Sequence, residues 1–185
     1  MDNYHKGRLV TSSVDDEDII TNLPEDLLHP ILERLPVKDA VRTGVLSKKW
    51  RYRWTTMKTL AFDNQFSQQF LKIGAFRCNE FIRVLNQIMI LHNGPIFKIH
   101  LHIPNIFLDS FKEIDQWMLI LSRNNVRELN IVNGNQIYHI PSSMFCCLEL
   151  RELKLCNCIF KPPLAFKGFP NLQKVLLTYV NNLRN

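Results

Sequence analysis

Four times in the second half of this chain an aliphatic residue is followed by a second three positions on, and by a third two beyond that. The four occurrences are Ile96-x-x-Ile99-x-Leu101, Val126-x-x-Leu129-x-Ile131, Leu150-x-x-Leu153-x-Leu155 and Leu172-x-x-Val175-x-Leu177. The last two positions of each share the period of a β-strand, so their side chains lie on one face and the intervening ones on the other. A strand this short cannot bury its apolar face alone. Recurrence at intervals of roughly 22 to 30 residues lets each copy cover its neighbour, and a chain built that way is expected to form an α/β solenoid of stacked units. The residues beside the inward positions are then expected to line the concave face, where a substrate would bind. They are Lys98, His100 and His102; Glu128, Asn130 and Val132; Glu152, Lys154 and Cys156; and Lys174, Leu176 and Thr178.

A second organised stretch, residues 18–54, lies nearer the N-terminus. Leu23-Pro24-Glu25-Asp26 reads as a helix start, since proline is tolerated in the first turn and the two acids favour its positive end. Leu27, Leu28, Ile31, Leu32 and Leu35 recur at helical spacing. Pro36 ends the helix by pushing the residue before it out of the α region. Pro30, inside the helix, removes the amide that would bond the Asp26 carbonyl, so a kink or an irregular start is expected, with lowered affinity for any partner of this surface. Val37 to Leu46 forms a second helical piece with Ala40, Val41, Val45 and Leu46 apolar. Ser47 would cap a third, Lys48 to Trp54, which carries Trp50, Tyr52 and Trp54 among Lys48, Lys49, Arg51 and Arg53. Three helices of this size bury little core. The first also carries apolar residues on more of its circumference than two short neighbours can cover, which points to a partner surface.

Between these regions Met57 to Asp63 reads as extended, with Leu60 and Phe62 alternating. Phe66 to His92 reads as mostly helical on the stripe Phe81, Val84, Leu85, Ile88 and Leu91, and Asn93-Gly94-Pro95 stops it. A further helix is expected from Glu113 to Ser122, with Ile114, Trp117, Met118 and Leu121 inward. Residues 1–17 have no apolar run and end in Asp15-Asp16-Glu17, so a disordered leader is expected rather than a signal or transit peptide. Nowhere do 18 apolar residues run together, and no membrane partner is expected. Five cysteines, an odd number, with no secretory signal point to reduced thiols and an intracellular chain of the nucleus or cytoplasm.

Leu23-Pro24, Ile31-Leu32, Leu35-Pro36, Lys38-Asp39-Ala40 and Val45-Leu46-Ser47-Lys48-Lys49-Trp50-Arg51 closely resemble the F-box of plant F-box proteins. That resemblance implies docking onto the Skp-type adaptor of a cullin ubiquitin ligase. It also implies that Leu23, Pro24, Leu28, Ile31, Leu32, Leu35, Leu46 and Trp50 supply the interface or directly support it. From Leu60 onward the chain resembles the repeat region of the plant F-box/leucine-rich-repeat family whose longer members end in an FBD domain. Ile114-Asp115-Gln116-Trp117, Ile140-Pro141-Ser142-Ser143 and Cys158-Ile159-Phe160-Lys161-Pro162-Pro163 carry this likeness. In the third unit Cys158 falls where leucine-rich repeats place Asn or Cys, while Pro104, Gly134 and Val180 hold that slot elsewhere, so the repeat is irregular.

The fold so implied is mixed α/β: a three-helix F-box at 18–58, a connecting strand and helix at 59–94 where the repeat region starts, and leucine-rich repeats at 95–185. The implied function is that of a non-catalytic receptor subunit without a cofactor. It would hold a protein substrate beside a charged ubiquitin-conjugating enzyme and act through effective concentration alone. A leucine-rich-repeat scaffold that never enters a ligase is the alternative.

Other chemistry finds less support in the residues. His100 and His102 project from one strand face and could supply two metal ligands, but no third or fourth is evident, and outward polar residues are the expectation. Cys146-Cys147 and Cys156-x-Cys158 lack zinc-finger spacing, and no G-x-S-x-G, phosphate loop or H-E-x-x-H occurs. The basic third helix and a net charge of +6 could attract nucleic acid. Aromatics at 50, 52 and 54 cannot share one helical face, however, so a solvated basic surface is expected instead. After Leu177 only Thr178 to Asn185 remain, which is short for a capping repeat. The last strand is therefore expected to be an exposed edge prone to self-association, with substrate binding weakened.

Overall fold

The computed structural model describes residues 23–46, 48–72, 75–105, 111–135 and 137–179. The leader at 1–17, the Ser47 cap and the Val180 slot lie outside the described residues. Helix α1, Glu25–Leu32, follows Pro24, whose carbonyl accepts the amides of Leu27 and Leu28 at 3.1 and 3.2 Å. The helix runs on through Pro30, whose ring is exposed, so the missing amide is not compounded by a clash with the core. Helix α2, Val37–Arg42, starts the same way, with the Pro36 carbonyl accepting from Asp39 and Ala40. It passes directly into a 3-10 turn, Thr43–Val45, rather than continuing as one helix to Leu46.

The third helix, expected from Lys48 to Trp54, is replaced by turns through Tyr52 and a 3-10 segment, Arg53–Thr56. Close packing explains the difference. A Cβ on Gly44 would lie 3.1 Å from the Arg51 α-carbon, so the chain returns tightly onto α2, whereas a helix would carry it away at about 1.5 Å per residue. Trp50 and Trp54 are nonetheless both buried, and Lys49 Nζ donates to the Leu23 carbonyl at 2.6 Å.

Strand β1, Thr59–Phe62, leads into helix α3, Asn64–Gln68, capped by Asp63, whose Oδ1 accepts the Phe66 amide at 2.9 Å. An antiparallel pair, β2 (Leu71–Lys72) and β3 (Ala75–Phe76), separates α3 from α4, Cys78–Leu91. The helix expected across 66–92 is thus two helices around a hairpin. The fold-back gathers Phe66, Phe70 and Phe81, with Phe70 and Phe81 centroids 5.4 Å apart. Along one straight helix those two residues would be about 16 Å apart. Phe81, Leu85, Ile88 and Met89 are buried on α4, whereas Leu91, counted in the inward stripe, is exposed.

The rest alternates strands and short helices: β4 (Lys98–Ile103), α5 (Lys112–Ser122), β5 (Glu128–Asn133), β6 (Tyr138–His139), a 3-10 segment (Ser142–Cys146), β7 (Glu152–Cys156), β8 (Cys158–Ile159) and β9 (Lys174–Thr178). Five strands form one parallel sheet in the order β1-β4-β5-β7-β9, and β6 and β8 pair in parallel beside it. Two register lines build the core: Leu60, Ile99, Leu129, Leu153 and Val175, then Phe62, Leu101, Ile131, Leu155 and Leu177. On the first four strands every one of these residues is buried. Helices α4 and α5 pack together, with Trp117 Nε1 donating to Asn86 Oδ1 at 2.6 Å, and the Tyr138 hydroxyl donates to Asp115 on α5 at 2.7 Å. The architecture is mixed α/β around a parallel sheet. No helix among the described residues is long and apolar enough to cross a membrane.

Candidate interaction surfaces

The N-terminal unit divides its apolar residues between a core and an open face. Leu28, Leu32 and Trp50 are buried and Leu35 is half-buried against the same core. Leu23 is also half-buried, held by the Lys49 bond to its carbonyl, while Pro24 is exposed. Ile31 and Leu46 remain 39% and 51% exposed. Of the residues expected at an adaptor interface, Pro24, Ile31 and Leu46 can therefore touch a partner directly, and Leu28, Leu32 and Trp50 can act only by holding the surface in shape. Three residues outside that set lie open as well: Leu27 at 52%, Val45 at 87% and Tyr52 at 63%. Their signal was present in the sequence. Leu27 adjoins Leu28 in a helix that can turn only one stripe inward, and Val45 and Leu46 are consecutive apolar residues at a helix end.

Polar contacts fix this unit on the sheet. Glu33 Oε1 accepts the Lys58 amide just before β1, and the His29 ring and the Thr56 hydroxyl are 3.1 Å apart. The Thr55 carbonyl accepts the amides of Asn93 and Gly94. At Gly94 a Cβ would come within 2.8 Å of the Thr56 α-carbon, so this closure requires glycine. His92 Nε2 lies 2.8 Å from the Met57 carbonyl and therefore carries the proton it donates there. Burial holds the His92 pKa below the ordinary imidazole value, against smaller raising effects from that bond and from Glu33.

On the sheet, the residues expected on the concave face form three adjacent lines on the side away from the core. Lys98, Glu128, Glu152 and Lys174 make the first, extended by Thr59; His100, Asn130, Lys154 and Leu176 the second; His102, Val132, Cys156 and Thr178 the third. The charges in these lines pair with one another. Lys98 Nζ lies 2.6 Å from Glu128, and Glu152 sits 3.7 Å from Lys174 and 3.9 Å from Lys154. With Asp63 at the end of β1 the face is close to neutral, although the chain carries +6. Partial burial lowers the pKa of His100 and of His102. Asp63 opposes the shift at both, and nearby His102, Lys154 and Lys98 reinforce it at His100.

The cysteines are free. Burial pushes the Cys147 and Cys158 thiols up to about 11 and about 12, which makes them poor nucleophiles. Cys158 is fully buried at the expected repeat slot. The residue before it is one that the sequence reading passed over. Asn157 has φ of +57° and bonds to Asn133, its register equivalent one strand earlier, and the signal was asparagine two places past the last aliphatic position in both units.

Comparison with known proteins matches the same two regions. The F-box domain family model covers residues 20–61. The model described as FBD-associated F-box protein At5g56370, LRR repeats, covers residues 114–183. The chain is 40% identical over 163 residues to the F-box/FBD/LRR-repeat protein At1g13570 of Arabidopsis thaliana, an alignment spanning 86% of this chain and 38% of that one. It is 30% identical over 169 residues to the F-box/FBD/LRR-repeat protein At5g56420 of the same plant, across 90% and 38% of the two chains. The FBD-associated F-box protein At1g66310, also of Arabidopsis thaliana, is 30% identical over 188 residues, across 97% and 40%. The chain thus spans about two fifths of the length of the curated relatives it matches, and no solved structure matches it. An F-box followed further along by FBD-associated leucine-rich repeats is the arrangement that makes this chain similar to the plant F-box/FBD/LRR-repeat proteins.

Proposed function

We propose that the chain is a substrate-recognition subunit of a Skp-cullin-F-box ubiquitin ligase. The observation that carries this reading is the open apolar face of the N-terminal unit, where Leu27, Ile31, Val45 and Leu46 stay in solvent within the stretch matched by the F-box model. Exposed apolar residues concentrated on one small unit are costly unless a partner covers them. A Skp-type adaptor, and through it a cullin, is the partner for that face, with Pro24 and Tyr52 at its margin. Leu23, Leu28, Leu32, Leu35 and Trp50 support it from beneath.

The parallel sheet is the start of an irregular leucine-rich-repeat solenoid, in which β1 opens the repeat region and each later strand adds one unit. Its open side, from Lys98 on β4 to Thr178 on β9, is the surface for a protein substrate. Ubiquitin transfer would take place on a separate conjugating enzyme, and this chain would contribute proximity.

Reconstitution tests the reading. The chain is mixed with a purified Skp-type adaptor and a cullin and then captured by an affinity tag. Recovery of both supports the ligase role. Adaptor without cullin supports the scaffold alternative, and recovery of neither by a folded chain refutes the ligase role.

A further inference from the structure

Met57-x-x-Leu60-x-Phe62 repeats the spacing of the four later units, and the residue after the first apolar position is in turn Lys58, Phe97, Arg127, Arg151 and Gln173. A repeat sets the same position of each unit side by side. Main-chain bonds lock these five into one row where the strands enter the sheet. The Lys58 carbonyl accepts the Phe97 amide at 2.8 Å, Phe97 that of Arg127 at 2.8 Å, Arg127 that of Arg151 at 2.7 Å, and Arg151 that of Gln173 at 2.8 Å. At the usual strand spacing Arg127 stands about 10 Å from Lys58 along the row, and Arg151 about 14 Å from it. Phe97 is half-buried between them, its ring centre 4.3 Å from the Arg127 guanidinium and 5.8 Å from Lys58 Nζ. That ring restrains both cations. Lys58, Arg127 and Arg151 are all exposed, and among the described residues no carboxylate forms an ion pair with any of them. Neighbouring acids are engaged elsewhere: Glu33 accepts the Lys58 main-chain amide, Glu128 pairs with Lys98, and Glu152 with Lys154 and Lys174. The row thus keeps three positive charges beside an open side whose charges cancel.

We propose that this rim binds an acidic, extended segment of a partner protein, laid across the strands from β1 to β7. Charge selects the class of occupant, and spacing selects its shape. An extended chain advances about 3.3 Å per residue, so a run of four or five residues rich in Asp and Glu matches the row from Lys58 to Arg151. The Arg127 and Arg151 guanidinium groups can each donate two parallel hydrogen bonds to one carboxylate, and Lys58 adds a point charge at the N-terminal end of the row. Main-chain bonding and the Phe97 ring hold these donors in place before the partner arrives, which lowers the ordering cost of binding. Two features favour a polypeptide over a nucleic acid. The aromatic ring of the row is engaged by Arg127 and Lys58 rather than open to a base. Glu128 and Glu152 also flank the row, where a broad polyanion would meet them. Calling the partner a substrate rests on the reading of the chain as a receptor, in which the rim would select substrates that carry an acidic run. The binding itself does not depend on that reading.

Fluorescence anisotropy of a labelled hexaglutamate peptide, titrated with the 185-residue chain, tests this, with circular dichroism to establish that every variant is folded. The parent chain is expected to bind, and more weakly as salt is raised. Arg151 forms no ion pair among the described residues, so Arg151→Gln disturbs little of the fold and should weaken binding severalfold. The double variant Arg127→Gln, Arg151→Gln should lose about tenfold or more. The control Arg83→Gln, Lys161→Gln removes the same charge from exposed positions outside the row and should change affinity by less than about twofold. No binding by the folded parent chain overturns the proposal. Equal loss in the control and the row variants overturns it too, because the attraction is then one of net charge alone. Tighter capture of a single-stranded oligonucleotide, weakened by the same row variants, assigns the rim to nucleic acid instead. Binding seen only after Asp15→Asn, Asp16→Asn and Glu17→Gln makes the chain's own acidic run the occupant and equally overturns the proposal. Adaptor binding measured on the row variants should be unchanged, so failure here is distinct from failure of the ligase reading.

Discussion

Asn133 and Asn157 clasp each other across adjacent repeat units. The Asn133 side-chain amide donates to the Asn157 carbonyl at 3.1 Å, and the Asn157 amide returns a bond to the Asn133 carbonyl at 3.2 Å and a second to Asn135 at 2.8 Å. Asn133 is buried, so replacing it with alanine removes its donor to the Asn157 carbonyl and the Oδ1 that accepts the Asn135 amide, and should destabilise the chain by about 1–3 kcal/mol. Asn157→Ala should lose more, by roughly a further 1 kcal/mol, because alanine resists the positive φ that asparagine tolerates. Asn157→Gly removes the bonds and keeps the backbone. Urea midpoints for the three variants therefore separate the two effects.

The N-terminal unit should split its variants into two classes. Leu32→Ala or Leu28→Ala empties a fully buried site and should lower stability by about 2–4 kcal/mol. Leu27→Ala, Val45→Ala or Tyr52→Ala should leave the melting temperature nearly unchanged and weaken adaptor binding. Parallel thermal melts and binding isotherms check this, and equal stability loss in both classes would place Leu27 and Val45 in the core.

The charge pairs on the sheet should matter for recognition more than for stability. Lys98 and Glu128 are both substantially exposed, so their 2.6 Å contact contributes at most about 1 kcal/mol. The double swap Lys98→Glu with Glu128→Lys keeps the pair and reverses its order along the sheet. Its urea midpoint should match that of the parent chain, while the set of proteins captured from a plant extract should change.

Acidification from pH 7.5 to 5.5 should weaken the fold. His92, His100 and His102 are all held below the ordinary imidazole value of 6.5 by burial. The unfolded chain then binds protons at higher pH than the folded one. Their stabilisation is complete above about pH 6.5 and is lost as pH falls through the lower folded values. Unfolding free energy measured in urea should be greater at pH 7.5 than at 5.5, and the double variant His100→Gln, His102→Gln should flatten part of that slope. Protonation of the same pair would also add positive charge to the open side of the sheet.

The strand registers were legible because each depends on a period-two pattern that no local interaction disturbs. Ile99 and Leu101, Leu129 and Ile131, and Leu153 and Leu155 all face the core. Legibility failed where tertiary packing overrode local propensity. Nothing within residues 48–54 indicates that Gly44 will meet the Arg51 backbone, so the turn there was read as a helix. The aromatic gathering of Phe66, Phe70 and Phe81 is likewise a long-range event, and it broke a segment whose local pattern is helical. At the N-terminal surface, helical spacing identified which residues are apolar but not which side faces the core. Leu28 and Leu32 turned inward while Leu27 and Ile31 stayed outside.

The central claim is that the open face of the N-terminal unit docks a Skp-type adaptor, and isothermal titration of the purified adaptor into the folded chain tests it most directly. The account predicts one-to-one binding by the parent chain and loss of at least about tenfold in affinity for the double variant Leu27→Ala, Ile31→Ala, with its melting temperature nearly unchanged. No heat of binding from a folded parent chain, or full affinity in the double variant, would contradict it.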